Sequence, residues 1–239
     1  MTIGDSVGQK NALYINKVGE GNRWKNRLRR LQTVCLMSFF LLSSSFFASC
    51  SESNDDEAYE FADWQSKNDA YFSKIYSQAE SDKSGKWKIL TKWSLNDDLA
   101  LDEDHVVVEV LNSGTGSGCP LFTDSVRVHY RGQLIPTSQH PGGFQFESSY
   151  SGELDVATSV PAKFAVSSLT DGFSTAVQNM HIGDYWRVYV PYRLAYGSTA
   201  QTSIPAYSLL IFHICLDSYY HPGLPVPAWK AKETGWIEE

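Results

Sequence analysis

From Tyr185 to Val190 the side chains alternate: Trp186, Val188 and Val190 fall on one side, Tyr185, Arg187 and Tyr189 on the other. That two-residue period is a strand with one buried face. Pro191 ends it, since proline brings no N–H to a ladder. The same period puts Val126, Val128 and Tyr130 on one face of an earlier strand, and Leu210, Phe212, Ile214 and Leu216 on one face of a later one. Between Thr170 and Gly183 the period changes. Phe173, Ala176, Val177 and Met180 follow i, i+3, i+4, i+7, with Thr170 placed to cap the start and Gly183 just past the end. The pattern predicts an α+β fold in which one short helix lies across the apolar face of an antiparallel sheet.

The flanks read differently. From Glu57 to Glu80, Ala58, Phe61, Trp64, Tyr71, Phe72, Ile75 and Ala79 keep mostly helical spacing among Asp, Lys and Gln, which predicts an extra N-terminal helix. Its apolar stripe either packs on its own domain, the simpler reading, or serves as a dimerisation arm. Ser81 to Asp104 holds SDKSGK and NDD, turn material around a short strand at Trp87 to Trp93, and reads as a linker. The tail from Tyr219 to Glu239 carries Pro222, Pro225 and Pro227, then Trp229 and Trp236; it is expected to run extended with its tryptophans packed back on the domain.

Several chemistries find no foothold. GTGSG, Gly114 to Gly118, lacks the Lys-Ser/Thr and the following helix of a phosphate loop, and reads as a surface loop between strands. The six histidines never fall at metal-ligand spacing, so no metal or other cofactor is implied. His129 and His213 each sit on the polar side of a strand pattern. No Gly-x-Ser-x-Gly or other nucleophile motif is present.

VPYRLAYG, Val190 to Gly197, followed by Ile204-Pro205, resembles the signature of FKBP-type peptidyl-prolyl cis-trans isomerases. VRVHYRGQL (Val126 to Leu134), GFQFESS (Gly143 to Ser149), the helix start at Asp171 to Phe173, QNMHIGD (Gln178 to Asp184) and LLIFHICL (Leu209 to Leu216) fall in the order of that family's blocks. The resemblance covers residues 105–218. It implies a curved antiparallel half-barrel wrapped around one short α-helix, with the N-terminal helix as an addition, and an isomerase acting on proline-containing unfolded or extended polypeptides.

Rotation about an X–Pro bond faces a barrier of about 18–20 kcal/mol that comes from amide resonance. Lowering it needs no nucleophile, only a dry pocket complementary to the twisted amide. The resemblance implies that Tyr130, Phe146, Phe173 and Phe212 line the proline pocket beside Leu169 and Ile204, that Thr170 offers its backbone N–H and Tyr196 its hydroxyl to substrate carbonyls, and that Glu147 orients polar groups at the rim. Catalysis would rest on Tyr130, Phe146, Glu147, Tyr196 and Phe212, substrate binding on Leu169, Thr170, Phe173 and Ile204. Four positions depart from the family: Phe173 replaces a tryptophan, Ala162 an aromatic, Glu147 an aspartate and Thr170 an aliphatic. The loops Pro136 to Gly143 and Tyr150 to Val160 are longer than usual and are expected to flank the pocket mouth. The alternative is a weakly active or inactive binding or chaperone module on the same scaffold, since fold does not guarantee function.

Composition bounds the partners. Of 239 residues, 42% are hydrophobic and seven are Trp, which argues for a folded globule. Residues 1–50 hold seven of the 20 basic and two of the 27 acidic residues, so the remainder carries 13 basic against 25 acidic, a net −12. That charge repels phosphate backbones and excludes nucleic acid as a partner.

The N-terminus reads as an address. Arg23, Lys25, Arg27, Arg29 and Arg30 precede an apolar run, Val34 to Phe47, that ends in Ala48-Ser49-Cys50. FASC resembles a lipoprotein processing box, with Phe47 where a smaller aliphatic is more usual; it implies a signal peptide over 1–49 and lipidation at Cys50. An ordinary signal peptide cut elsewhere or an uncleaved anchor are the alternatives. SESNDDE then gives an acidic tether over 50–57, before the helix and linker of 58–104, the isomerase-like domain of 105–218 and the tail of 219–239. The expected location is the outer membrane of a Gram-negative bacterium, facing periplasm or surface, with Cys50 as the anchor. Cys119 and Cys215 remain, paired or separate.

Overall fold

Seven strands, all antiparallel, form one curved, unclosed sheet in a computed structural model that describes residues 60–223 and 236–237. In chain order the elements are α1 (Trp64–Ser81), β1 (Trp87–Thr91), β2 (His105–Asn112), β3 (Ser125–Gln133), β4 (Gln145–Ser148), β5 (Ala162–Ala165), α2 (Asp171–Val177), β6 (Tyr185–Val190) and β7 (Leu210–Tyr220). The sheet order is β1-β2-β6-β7-β3-β4, and β5 also pairs with β3. One edge of β3 runs the length of β7. Its other edge is shared, with β5 along Ser125 to Val128 and β4 along Arg131 to Gln133.

The alternation predicted for β3, β6 and β7 appears as burial. Val126, Val128, Trp186, Val188, Val190, Ile214 and Leu216 are fully buried on the face that carries α2. Within α2 and the turn after it, Phe173, Ala176, Val177 and Met180 are buried as the helical spacing requires. Thr170 takes the N-cap position, but its side chain makes no capping bond; its carbonyl accepts Ser174 N–H at 2.9 Å. The helix ends at Val177, well before Gly183, whose φ of +87° serves the turn into β6 instead.

The opposite face of the sheet is covered by α1, which packs on its own domain. Tyr71 approaches Tyr189 at 6.4 Å between centroids, and Trp87 stacks on Tyr189 at 5.9 Å. The helix starts at Trp64, later than its apolar spacing suggested, because Asp63 lies in the left-handed region at φ 54°. The segment read as a linker carries β1, which pairs with β2 over five residues. In the tail, Trp236 is buried, and Arg127 lies 4.2 Å from its ring. Ile237 bridges to Tyr219; Trp229 lies outside the described residues.

Two histidine readings need correction or detail. His129 lies on the face expected to be polar, yet it is fully buried, and neither ring nitrogen has a partner among the described residues. Burial holds it neutral by lowering its pKa. His213 accepts Arg187 Nε at 2.9 Å, while Arg187 Nη1 reaches Glu109 at 2.7 Å and Lys86 completes the cluster. Burial, then the Arg187 and Arg131 charges, push His213 down to about 4. Cys119 and Cys215 are both free thiols.

Two expectations follow. A Cβ on Gly172 would overlap the side chain of Val190, because the first turn of α2 sits directly on β6. Gly172→Ala should cost about 1–3 kcal/mol and lower the thermal midpoint by several degrees, at roughly 2–4 °C per kcal/mol for a chain of this size. The second concerns pH. His213 and His129 are depressed in the folded state, so below about pH 6.5 the unfolded chain binds protons that the folded chain refuses. Stability should therefore fall as pH drops from 6.5 towards 4, and His213→Gln, which keeps an acceptor for Arg187 but cannot protonate, should flatten that fall in denaturant titrations.

Candidate active site

β3 sets out the site because its alternation points Tyr130 to the α2 face beside Val128, and its pairing places Gly132 opposite Phe212 of β7. Around these, five aromatic rings touch in one continuous chain. Phe164 of β5 meets Tyr130 at 5.6 Å, Tyr130 meets Phe173 of α2 at 6.0 Å, Phe173 meets Phe212 at 5.1 Å, and Phe212 meets Phe146 of β4 at 5.8 Å. All four contacts are edge-to-face, the arrangement the ring quadrupoles favour.

Gly132 lets this chain close. A Cβ there would overlap the Phe146 ring and lie 2.9 Å from Phe212 Cε1, so any larger residue would drive both rings from their positions. β4 is held against β3 by its own pairing and by paired bonds just beyond it: Ser149 N–H donates to Tyr130 O, and Tyr130 N–H to Ser149 Oγ, both at 2.9 Å.

The polar groups gather at the rim. Burial, then a hydrogen bond to Glu147 and that carboxylate's charge, push the Tyr130 phenol well above its ordinary range. Burial and the same carboxylate raise Tyr196, which is 40% exposed on the loop after β6. Glu147 thus acts on both phenols, and both stay protonated through neutral pH. Ile204 is buried on the same loop, within the bridge from Gln201 to Ile204. Leu169 is half-buried against the core just ahead of α2. Thr170 N–H meets no backbone acceptor among the described residues.

The structure therefore brings together Tyr130, Phe146, Glu147, Phe173, Tyr196 and Phe212, with Leu169, Thr170 and Ile204 on the adjoining segments. Cys50 lies outside the described residues. Among those residues no group of three or more His, Cys, Asp or Glu is placed to hold a metal. Two participants escaped the sequence reading. Phe164 supplies an aromatic on the face where Ala162 is small, and its place two residues on from Ala162 in a four-residue strand was the available signal. Gly132 could have been suspected only once the two rings flanking it were known. The loop from Tyr150 to Val160 also departs from expectation: Leu154 to Val156 lie beside His129, Tyr185 and Cys215, on the face of the sheet away from the rings.

Comparison with known proteins bears on the same segment. Residues 120–217 match the family model of the FKBP-type peptidyl-prolyl cis-trans isomerase. The chain is 38% identical over 113 residues to the FKBP-type 22 kDa peptidyl-prolyl cis-trans isomerase of Escherichia coli strain K12, covering 47% of this chain and 48% of that one. It is 30% identical over 135 residues to a Legionella longbeachae protein named outer membrane protein MIP, covering 56% of this chain and 51% of that one. The chain thus spans about half the length of the curated relatives it matches. The crystal structure of FkpA from Escherichia coli aligns at a TM-score of 0.47 and 20% identity, over 90% of this chain and 97% of that one. At that level the structural likeness carries no argument, and the sequence matches stand by themselves: residues 120–217 are similar to the FKBP-type peptidyl-prolyl cis-trans isomerase family.

Proposed function

We propose that residues 105–218 accelerate rotation about X–Pro bonds in exported polypeptides, binding the twisted amide without a covalent step. The observation that carries this reading is the continuous chain of five rings, Phe164, Tyr130, Phe173, Phe212 and Phe146, with its polar groups confined to one rim. An apolar floor takes the proline ring and excludes water, which weakens the solvation that favours the planar, conjugated amide. Thr170 N–H and the Tyr196 hydroxyl hold the flanking carbonyls, and Glu147 fixes the Tyr130 hydroxyl at the rim. Interactions stronger in the twisted than in either planar form lower the barrier. A binding module with little turnover is the second reading, favoured by the small Ala162 and by Phe173 in place of a tryptophan.

The wider organisation is part of the same proposal. Residues 1–49 act as a signal peptide, 50–57 as an acidic tether lipidated at Cys50, 58–104 as helix and connecting segment, 105–218 as the isomerase domain and 219–239 as a packed tail. The outer-membrane name of the Legionella longbeachae relative supports a location at the outer membrane, on either face.

A short X–Pro peptide assay with the chain from Ser51 onward tests the chemistry. Wild type should accelerate isomerisation with a rate nearly constant from about pH 6 to 8, since the proposed step transfers no proton. Phe212→Leu and Gly132→Ala should each lose on the order of tenfold or more, and Tyr196→Phe roughly two- to tenfold, the worth of one hydrogen bond. A folded wild type with no acceleration that still binds the peptide would leave the binding module.

The anchor has its own test. Expressed in a Gram-negative host, the full chain should partition with membranes carrying a lipid on the mature N-terminus, and Cys50→Ser should release it to the soluble fraction or leave it unprocessed. Unchanged membrane partition and unchanged mass in that variant would exclude lipidation at Cys50.

A further inference from the structure

The buried stripe of α1 is Trp64, Asn68, Phe72, Ile75 and Ala79, and one of its five members is an amide. Asn68 is 1% exposed. An amide so deep in an apolar stripe is costly unless both ends are bonded. Here both are: Nδ2 donates to Trp64 O at 2.7 Å, and Oδ1 accepts Leu209 N–H at 2.8 Å. Leu209 is the last residue before β7, where the loop that began at Pro191 returns to the sheet. One turn earlier on the helix, Trp64 Nε1 donates to Ser208 Oγ at 2.8 Å, and Ser208 Oγ donates to Pro205 O at 2.6 Å. Gln65 adds a bond to the Tyr192 hydroxyl at the loop's other end, at 3.2 Å.

The loop so gripped is held in an unfavourable shape. Tyr207, directly before Ser208, has φ +61°, a left-handed conformation that a bulky residue adopts only when its surroundings impose it. On one side Tyr207 N–H donates to Gly197 O at 2.9 Å and its ring meets Tyr192 at 5.4 Å. On the other, the two residues that follow it are fastened to α1. Gly197 adjoins Tyr196, and Pro205 adjoins Ile204. The ties made through Tyr207 and Ser208 therefore end one residue from a side chain of the site, and those of Asn68 and Gln65 hold the loop's two ends.

We propose that Trp64 and Asn68 are positioning residues: α1 clamps the loop from Pro191 to Leu209 so that Tyr196 and Ile204 are presented to the aromatic cluster. The catalytic consequence rests on the isomerase reading; the clamp itself does not. On this account the N-terminal helix belongs to the working site although no residue of it touches the rings. Truncating the chain to the family-matched segment would then leave the pocket walls and loosen its rim.

The test compares Asn68→Ala and Trp64→Phe with Ile75→Val, a stripe substitution at a side chain that has no polar atom to bond the loop, in the purified full chain well below every midpoint. Hydrogen exchange at Leu209, Tyr207 and Gly197 should quicken about tenfold in Asn68→Ala, the effect of one lost hydrogen bond, while β7 amides such as Phe212 keep their protection. Peptide kcat/KM should fall about tenfold in the same variant, mainly through KM, since substrate contacts at the rim are lost while the ring floor is intact. Ile75→Val should alter neither. Unchanged exchange at Leu209 and Tyr207 in Asn68→Ala overturns the clamp, whatever the activity. Loosened exchange with peptide kinetics equal to Ile75→Val overturns the positioning role. A wild type without isomerase activity, but with exchange loosened in Asn68→Ala, instead sinks the isomerase reading and keeps the clamp.

Discussion

Every residue of β3 from Ser125 to Gln133 lies in the ladder with β7, and this pairing fixes the height of each side chain that the site uses. Tyr130 falls opposite Ile214 and Gly132 opposite Phe212, so two of the five rings take their relative positions from backbone hydrogen bonds alone. Because the side-chain period of a strand is two, a slip of one residue along this ladder would turn Tyr130 to the far face and replace Gly132 by a residue the rings cannot accommodate. The ladder with β7 shifts register between Arg127 and Val128, and the pairing with β4 shifts between Gly132 and Gln133, beside Phe146. β4 and β5 then share the free edge of β3, and each delivers one more ring, Phe146 and Phe164, to the face that α2 closes with Phe173.

The two faces of the sheet divide the labour. Around the five rings the α2 face is apolar, and the polar groups nearest them lie at a rim formed by Glu147, Tyr130 and Tyr196; Lys88 reaches the Trp186 ring farther along the same face. The other face carries the charges: Glu109, Arg187 and Lys86, with His213 held neutral among them. This separation keeps His213 and the ionic cluster around it away from the rings. It also gives α1 an apolar strip to cover, built from Tyr189, Trp87 and its own stripe, beside an ionic cluster that needs no cover.

Much of this was legible in the sequence, and the reasons for the remainder are physical. β3, β6, β7 and α2 each carry a clear period, so their buried faces could be assigned from spacing, and Tyr130, Phe173 and Phe212 with them. β1 falls within the short strand expected at Trp87 to Trp93, but five residues between turn-forming segments do not say which strand they join, so the segment around it reads as linker; only the pairing with β2 places it in the sheet. Asn68 is absent from the apolar stripe that spacing gives for α1, since a buried amide is recognisable only when the distant donor, Leu209 N–H, is known. His129 lies on the face that alternation gave it, but its burial was not foreseen: alternation says which face a residue is on, and says nothing about whether another segment covers that face. Leu154 to Val156 lie beside it, and nothing local in that loop fixes the direction it takes.

The substitution of Phe173 for a tryptophan acquires a meaning once the geometry is known. A tryptophan at the floor would bring an indole N–H that needs an acceptor when buried. Phenylalanine brings none, and Phe164 restores part of the aromatic surface from the neighbouring strand, 5.6 Å from Tyr130. The floor then has no polar atom to bond a planar amide, while the rim has three. Twisting an amide ends its resonance. The nitrogen keeps its lone pair to itself, the carbonyl oxygen loses the extra charge that conjugation gave it but still accepts hydrogen bonds, and the group's charge separation falls. On the proposed reading, a site with a dry floor and polar groups only at the rim favours that less charge-separated state over the planar one. Its power then depends on how firmly the rim is held against the floor, and the rim's loop is where the helix outside the family-matched segment takes hold.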